Sequence, residues 1–175
     1  MAQTQYISNF LPNNLYLKLK YWLLNLELYS GTTRKGNKIH RKQKWFHIDN
    51  KRFDESWKQH FDRWKAHEFP DILKEILYYV NSKLKMDTNS CLINYYENGN
   101  DFIPKHIDSI FSFGPTPTIV NLSFGATRVL RVAKKNYSLY NNSIFIMTGP
   151  SVEHELLQDL ECNKPRWSLT FRKKL

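Results

Sequence analysis

The chain has 175 residues, enough for one domain with a sizeable core and short for two. A 41% hydrophobic and 15% aromatic content excludes a disordered chain, and a formal net charge of +10 points to a polyanionic partner such as nucleic acid, with a plain basic protein as the other reading. Cys91 and Cys162 are too few and too far apart for a disulfide framework or a zinc ribbon, and neither a signal-peptide pattern nor an apolar run of membrane-spanning length is present. The expectation is a monomer of a reducing compartment, cytoplasmic or nuclear, with no membrane partner.

Leu15, Leu19, Trp22, Leu23 and Leu26 recur at helical spacing and predict an amphipathic helix, capped by Asn13 or Asn14, laid against a sheet. Residues 31–44 are rich in Lys and Arg and run directly into Trp45-Phe46-His47. Cations meet phosphates and aromatic faces stack on unpaired bases, so this stretch suits a nucleic-acid surface or lid. It suits equally a solvated loop in which Trp45 and Phe46 are core residues. Phe53, Trp57, Phe61 and Trp64 predict an amphipathic helix over 53–67 with its rings in the core. The clearest helix opens at Pro70-Asp71, with Ile72, Leu73, Ile76, Leu77, Val80 and Leu84 as its apolar stripe.

Beyond Asn89 the texture changes to short strands, predicted over 91–96, 102–107, 118–124, 128–132, 143–147, around His154 and over 166–172. Asn98-Gly99, Gly114-Pro115, Gly125, Asn141-Asn142 and Gly149-Pro150 punctuate them. Such spacing predicts a sandwich or barrel with helices outside.

Candidate chemistry begins at His106 and Asp108, which point the same way if the strand is extended and so reach one metal, with His154 as the candidate third ligand from another strand. Two imidazoles and a carboxylate on one face of a metal are the signature of a non-haem Fe(II) oxygenase. In 166–172 strict alternation puts Trp167, Leu169 and Phe171 on one face and Arg166, Ser168, Thr170 and Arg172 on the other. Two inward guanidinium groups need an anion, and a dicarboxylate cosubstrate supplies one through a planar fork. A pair of exposed arginines on an edge strand is the alternative.

Over residues 70–173 the chain resembles an AlkB-type Fe(II)/2-oxoglutarate dioxygenase. The resemblance runs through Leu92-Ile-Asn-Tyr-Tyr-Glu-Asn-Gly-Asn-Asp-Phe-Ile-Pro-Lys-His-Ile-Asp108, the segment 114–128, Ile146-Met-Thr-Gly149, His154 and Pro165-Arg-Trp-Ser-Leu-Thr-Phe-Arg172. It implies an α+β protein with a mainly β core, a double-stranded β-helix or jelly roll with N-terminal helices packed outside. One domain, 1–175, is expected, with 1–90 as helical scaffold and basic, aromatic substrate lid and 91–175 as catalytic core. The implied iron ligands are His106, Asp108 and His154, and O2 and 2-oxoglutarate are the implied cosubstrates. Asn94 and Tyr96 match positions that contact 2-oxoglutarate, Arg166 and Arg172 match those that pair with its carboxylates, and Ser168 and Thr170 complete that face.

Two positions depart from the family pattern. Ser168 stands where the final motif usually has Asn, which makes one hydrogen bond near the cosubstrate shorter-reaching or water-mediated. After Asp108 come Ser109-Ile110-Phe111 in place of the one or two acids common in nucleic-acid repair members, where an acid helps to recognise the exocyclic amino group of a methylated adenine or cytosine. Upstream, His40-Arg-Lys-Gln-Lys-Trp-Phe46 is similar to the start of the family's nucleotide-recognition lid. That similarity marks Arg41 as a phosphate or lid contact and Trp45, Phe46 and Phe53 as stacking residues. The implied activity is oxidative demethylation of N-alkylated bases in DNA or RNA, releasing formaldehyde, succinate and CO2. The alternatives are a dioxygenase of the same fold acting on a protein or small molecule, and a non-catalytic nucleic-acid-binding module.

Overall fold

Alternating side chains in the second half of the chain are sorted between two environments in the computed structural model, which describes residues 3–58, 61–150 and 152–175. In chain order the elements are β1 (Gln3–Ile7), α1 (Asn13–Leu24), β2 (Lys42–His47), β3 (Ala66–His67), α2 (Asp71–Leu84), β4 (Ser90–Tyr96), β5 (Ile103–His106), α3 (Ile110–Phe113), β6 (Thr118–Gly125), β7 (Arg128–Val132), β8 (Lys135–Leu139), β9 (Ser143–Thr148), β10 (His154–Leu156) and β11 (Arg166–Arg172). A seven-stranded sheet runs β1-β9-β6-β11-β4-β2-β3 and a four-stranded sheet runs β5-β10-β7-β8. The sheets enclose one cavity, and the architecture is the expected jelly roll with helices outside.

The outer face of the large sheet carries the main core. Leu15, Leu19 and Leu23 of α1 and Leu73, Ile76, Leu77 and Val80 of α2 pack onto Ile93, Val120, Leu122, Ile144, Leu169 and Phe171. Each such side chain contributes about 1.5–3 kcal/mol when fully buried, so this layer drives the fold and fixes the register of every strand beneath it. Because the side-chain period of a strand is two, the residues between these must face the cavity. Ile119, Val132, Leu139, Phe145 and Met147 form a smaller apolar cluster between the two sheets. Arg128, fully buried, donates to the carbonyls of Asn98 at 3.2 Å, Asp101 at 2.7 Å and Leu157 at 2.5 Å, tying the β4–β5 turn to the exit of β10.

The N-terminal half is more than helices and a lid. β1 extends the large sheet by pairing with β9, and β2 pairs antiparallel with β4 over Lys42–His47. The predicted division at residue 90 is therefore crossed by the sheet itself. The helix expected over 53–67 is not formed; among its described residues, which exclude Gln59 and His60, only Asp62–Trp64 makes a short 3-10 turn. The Ser56 amide donates to Asp54 Oδ1 at 2.9 Å, a local turn that competes with helical hydrogen bonding. α1 starts after Pro12 with no side-chain cap, so neither Asn13 nor Asn14 has the expected capping role. No helix among the described residues is long and apolar enough to cross a membrane.

Candidate active site

The antiparallel register of β5 and β10 sets His154 opposite His106, with ring centroids 4.3 Å apart. Each Nδ1 sits 2.9 Å from the carbonyl two residues before it, His106 on Pro104 and His154 on Val152. That carbonyl fixes the proton on Nδ1 and leaves the Nε2 lone pair for a ligand. Both Nε2 atoms lie 3.7 Å from Asp108 Oδ1, and the three ligand atoms fall within 4.8 Å of one another. Donors on one face of a six-coordinate ion at about 2.1 Å stand about 3 Å apart, so a small inward closure seats a metal. Burial, and then the neighbouring His154, push the His106 imidazole down to about 4, which favours the neutral form a metal ligand needs.

β5 ends at His106, so Asp108 is not placed by strand geometry as expected. Arg172 places it, with Nε on Oδ2 at 2.7 Å and Nη2 on Oδ1 at 3.3 Å. Burial raises the Asp108 carboxyl, but Arg172, His154 and His106 outweigh it and hold the group below the usual carboxylate range. The fork of Arg172, assigned from sequence to the cosubstrate, is thus given to the metal carboxylate; its buried Nη1 has no partner among the described residues.

Arg166 stands on the same face of β11, only 1% exposed. Its Nη2 donates to Ser123 Oγ at 2.9 Å and Asn121 Oδ1 at 3.3 Å, its Nε has no partner, and no carboxylate lies within ion-pair distance among the described residues. Burial pushes this guanidinium down to about 10. A buried cation without an anion is costly, and a carboxylate group of 2-oxoglutarate fits the vacancy in its hydrogen bonding. Around it the register aligns the cavity face: Ser168 lies between Asn94 and Ser123, and Thr170 accepts from Asn121 Nδ2 at 2.9 Å. The Tyr96 ring is 5.4 Å from the Arg166 guanidinium, while Asn94 Oδ1 accepts from Arg41 Nε at 3.1 Å and Gln43 Nε2 at 3.0 Å. Asn121 and Ser123, within the segment 114–128 but not among the candidate site residues, join the site; their signal in the sequence is two polar residues on the inward face of the apolar strand β6.

The cavity, about 740 Å³, runs from these groups to a wall built by Phe53, Asp54, Ser56, Trp57 and Trp64 together with α3. Phe53 lies on that wall with Trp57 and Trp64, their ring centroids 4.4–5.6 Å apart and so too close for a base between them. Arg41 also lines the cavity, and burial pushes its guanidinium down. Trp45 and Phe46 do not serve as stacking faces. Trp45 is 0% exposed, packed by Phe53 and Phe113, with Nε1 on the Lys51 carbonyl at 2.9 Å. Phe46 points to the opposite side of β2, into the core under the helices. Asp54, Trp57, Trp64, Ile110 and Phe111 line the cavity instead.

The sequence model of the 2OG-Fe(II) oxygenase superfamily matches residues 3–172. The chain is 30% identical over 119 residues to the mouse alpha-ketoglutarate-dependent dioxygenase alkB homolog 3, covering 55% of this chain and 42% of the relative. It is 39% identical over 69 residues to the Arabidopsis thaliana DNA oxidative demethylase ALKBH2, covering 39% of this chain and 22% of the relative. The chain thus spans less than half the length of these curated relatives. A Trichoplax adhaerens prolyl hydroxylase shares the fold, with a TM-score of 0.64 at 14% identity over 97% of this chain and 82% of that one. With the His-Asp-His triad and the unneutralised Arg166 already in place, the family match establishes that the chain belongs to the 2OG-Fe(II) oxygenase superfamily, and over 55% of its length it is similar to an AlkB-type member.

Proposed function

We propose that the protein demethylates N-alkylated bases in DNA or RNA, releasing formaldehyde, succinate and CO2. The observation that carries this reading is the continuity of the cavity from the triad to an aromatic wall, in a chain of net charge +10. Its volume falls in the range of sites that enclose a small organic group. The charge supplies sequence-independent attraction to phosphate, and a base extruded from its stack costs a few kcal/mol, least in a single strand.

In this reading Fe(II) bound to the triad supplies the activation of O2 coupled to decarboxylation of 2-oxoglutarate. The chain's own residues do the positioning. Arg166 anchors one carboxylate of 2-oxoglutarate, and the Nη1 of Arg172, which has no partner among the described residues, is available for a second contact. Asn94, its oxygen already accepting from Arg41 and Gln43, has only its amide donor left for the cosubstrate. Tyr96, Ser168 and Thr170 complete the polar floor, and Ile119, Leu130, Leu139, Phe145 and Leu156 keep it dry. Phe53, buried among Trp45, Trp57, Trp64 and Phe113, backs this wall, and the half-buried Trp57 is the ring that offers a surface to the substrate base.

A second reading, oxidation of a protein or small molecule, is favoured by Ile107, Ile110 and Phe111, apolar and exposed beside the metal ligands, Phe111 by 74%. A mass-spectrometric screen of methylated oligonucleotides, DNA and RNA, single- and double-stranded, against methylated peptides separates the two. Loss of one CH2 from an oligonucleotide, dependent on Fe(II) and 2-oxoglutarate, supports the first; turnover of a peptide alone supports the second.

A further inference from the structure

Among the described residues the cavity wall holds two carboxylates, and the metal accounts for only one of them, Asp108. The other, Asp54, is 3% exposed, enclosed by its immediate neighbours more than by depth. Its Oδ1 accepts from the Ser56 amide at 2.9 Å and the Ser56 hydroxyl at 2.5 Å, and its Oδ2 accepts from the Ser109 hydroxyl. No Lys, Arg or His among the described residues lies within ion-pair distance of it. The Ser112 hydroxyl also lies close to Asp54 but donates its one proton to the Phe53 carbonyl at 2.7 Å, so of the roughly four directions in which a carboxylate accepts, one remains.

A purely mechanical role does not need this charge. The segment 53–56 is already latched to α3 by Ser112 Oγ on the Phe53 carbonyl at 2.7 Å, and a neutral side chain would close the same turn. An unneutralised carboxylate beside Phe53, Trp57 and Trp64 is complementary to a cation that brings its own N–H donor. Its place is also informative. Ser109 directly follows the metal ligand Asp108, so Asp54 is one hydrogen bond and one residue from the metal site.

We infer that Asp54 is the specificity-determining carboxylate of this site, accepting a hydrogen bond from the exocyclic amino group of a cationic N-methylated base. The inference rests on the nucleic-acid reading above. Methylation at adenine N1 or cytosine N3 adds a group to a nitrogen that carries no proton, leaving a positive ring with an amino group beside the methyl. Methylation at thymine N3 or guanine N1 replaces a proton and leaves a neutral ring, with carbonyls on both sides of the methyl in thymine and a carbonyl on one side and an amino group on the other in guanine, so guanine differs from the first pair by its lack of ring charge. The carboxylate attracts the first pair, and its lone pairs oppose the carbonyls of thymine.

The test uses single-stranded oligonucleotides carrying one N1-methyladenine, N3-methylcytosine, N3-methylthymine or N1-methylguanine. Rates for the parent, Asp54→Asn and Ser109→Ala are normalised to each protein's own substrate-free 2-oxoglutarate turnover. In the parent, kcat/KM favours the cationic lesions; Asp54→Asn lowers that preference ratio by about tenfold to a hundredfold, the loss of one charge-assisted hydrogen bond. Ser109→Ala, which removes a tether and keeps the charge, retains the preference. If Asp54→Asn lowers all four rates in parallel, or if Ser109→Ala loses the preference as Asp54→Asn does, Asp54 is a latch and the inference is overturned while the demethylase reading stands. A parent that repairs none of the four overturns both.

Discussion

Arg166 and Arg172 lie on one face of one strand, yet they do different work, and two substitutions separate them. Arg172→Ala removes both hydrogen bonds that orient Asp108, so iron affinity in the absence of oxygen is expected to fall about 10- to 100-fold, as when other groups behind a metal ligand are lost. Unchanged metal binding would return Arg172 to the cosubstrate alone. Arg166→Met replaces a buried cation that has no anion by a side chain that packs. The metal-free, cosubstrate-free protein is expected to melt at the same or a higher temperature, and 2-oxoglutarate is expected no longer to raise that temperature. A variant still stabilised by 2-oxoglutarate would remove Arg166 from its site. The convergence of His106, Asp108 and His154 was legible in the sequence because the first two sit in one short motif, and the inward side of Arg166 because alternation in 166–172 is strict. The fork from Arg172 to Asp108 was not legible, since it joins residues 64 apart whose closeness only the fold supplies.

At the scale of elements, the α2 helix and the strands beyond residue 89 were readable because each has one apolar and one polar face. β2 was hidden for a physical reason. Its outward Lys42 and Lys44 alternate with inward Gln43 and Trp45, and the lysine ammonium groups sit 5.9–6.0 Å over the rings of Tyr95, Tyr29 and Phe46, so the segment has the composition of a loop and the environment of a strand. Phe53, Trp57 and Trp64 have helical spacing and no helix, because they cluster with Trp45 and Phe113 while the Asp54–Ser56 turn takes the local hydrogen bonding. Two tryptophans of this layer should therefore behave oppositely. Trp45→Ala is expected to cost about 3–5 kcal/mol of stability in denaturant unfolding, as a large buried ring does. Trp57→Ala, at the cavity wall and half-buried, is expected to reduce turnover of substrate with a smaller loss of stability. Equal stability losses would contradict this division between core and wall.

For the whole molecule, net charge and acid sensitivity meet at the end of β2. His47 is buried with Nδ1 accepting from the amides of Asp49, at 2.9 Å, and Lys51, at 3.4 Å, and its Nε2 has no partner. Burial lowers its pKa, opposed by Asp49 and reinforced by Lys51, Lys174 and Lys173. A histidine whose folded pKa lies below its unfolded value of about 6.5 contributes stability that is fully present above that pH and is lost as pH falls below it toward the folded value. The metal-free protein should lose stability on acidification from about 6.5 downward, with His106 and His67, also lowered by burial, contributing beside His47, and His47→Asn, which keeps an acceptor for the two amides, should make that limb shallower. A parallel pH profile in the variant would assign the loss elsewhere.

The central claim joins three parts of one molecule: a triad that holds iron, a buried arginine that holds 2-oxoglutarate, and a cavity that brings an N-methyl group to them. One measurement reads all three together, the ratio of formaldehyde released to succinate formed when a methylated single-stranded oligonucleotide is supplied with Fe(II), 2-oxoglutarate and O2. The account predicts that the two products approach equal amounts and that both are lost in His154→Ala. Succinate formed without formaldehyde on any methylated oligonucleotide would contradict it.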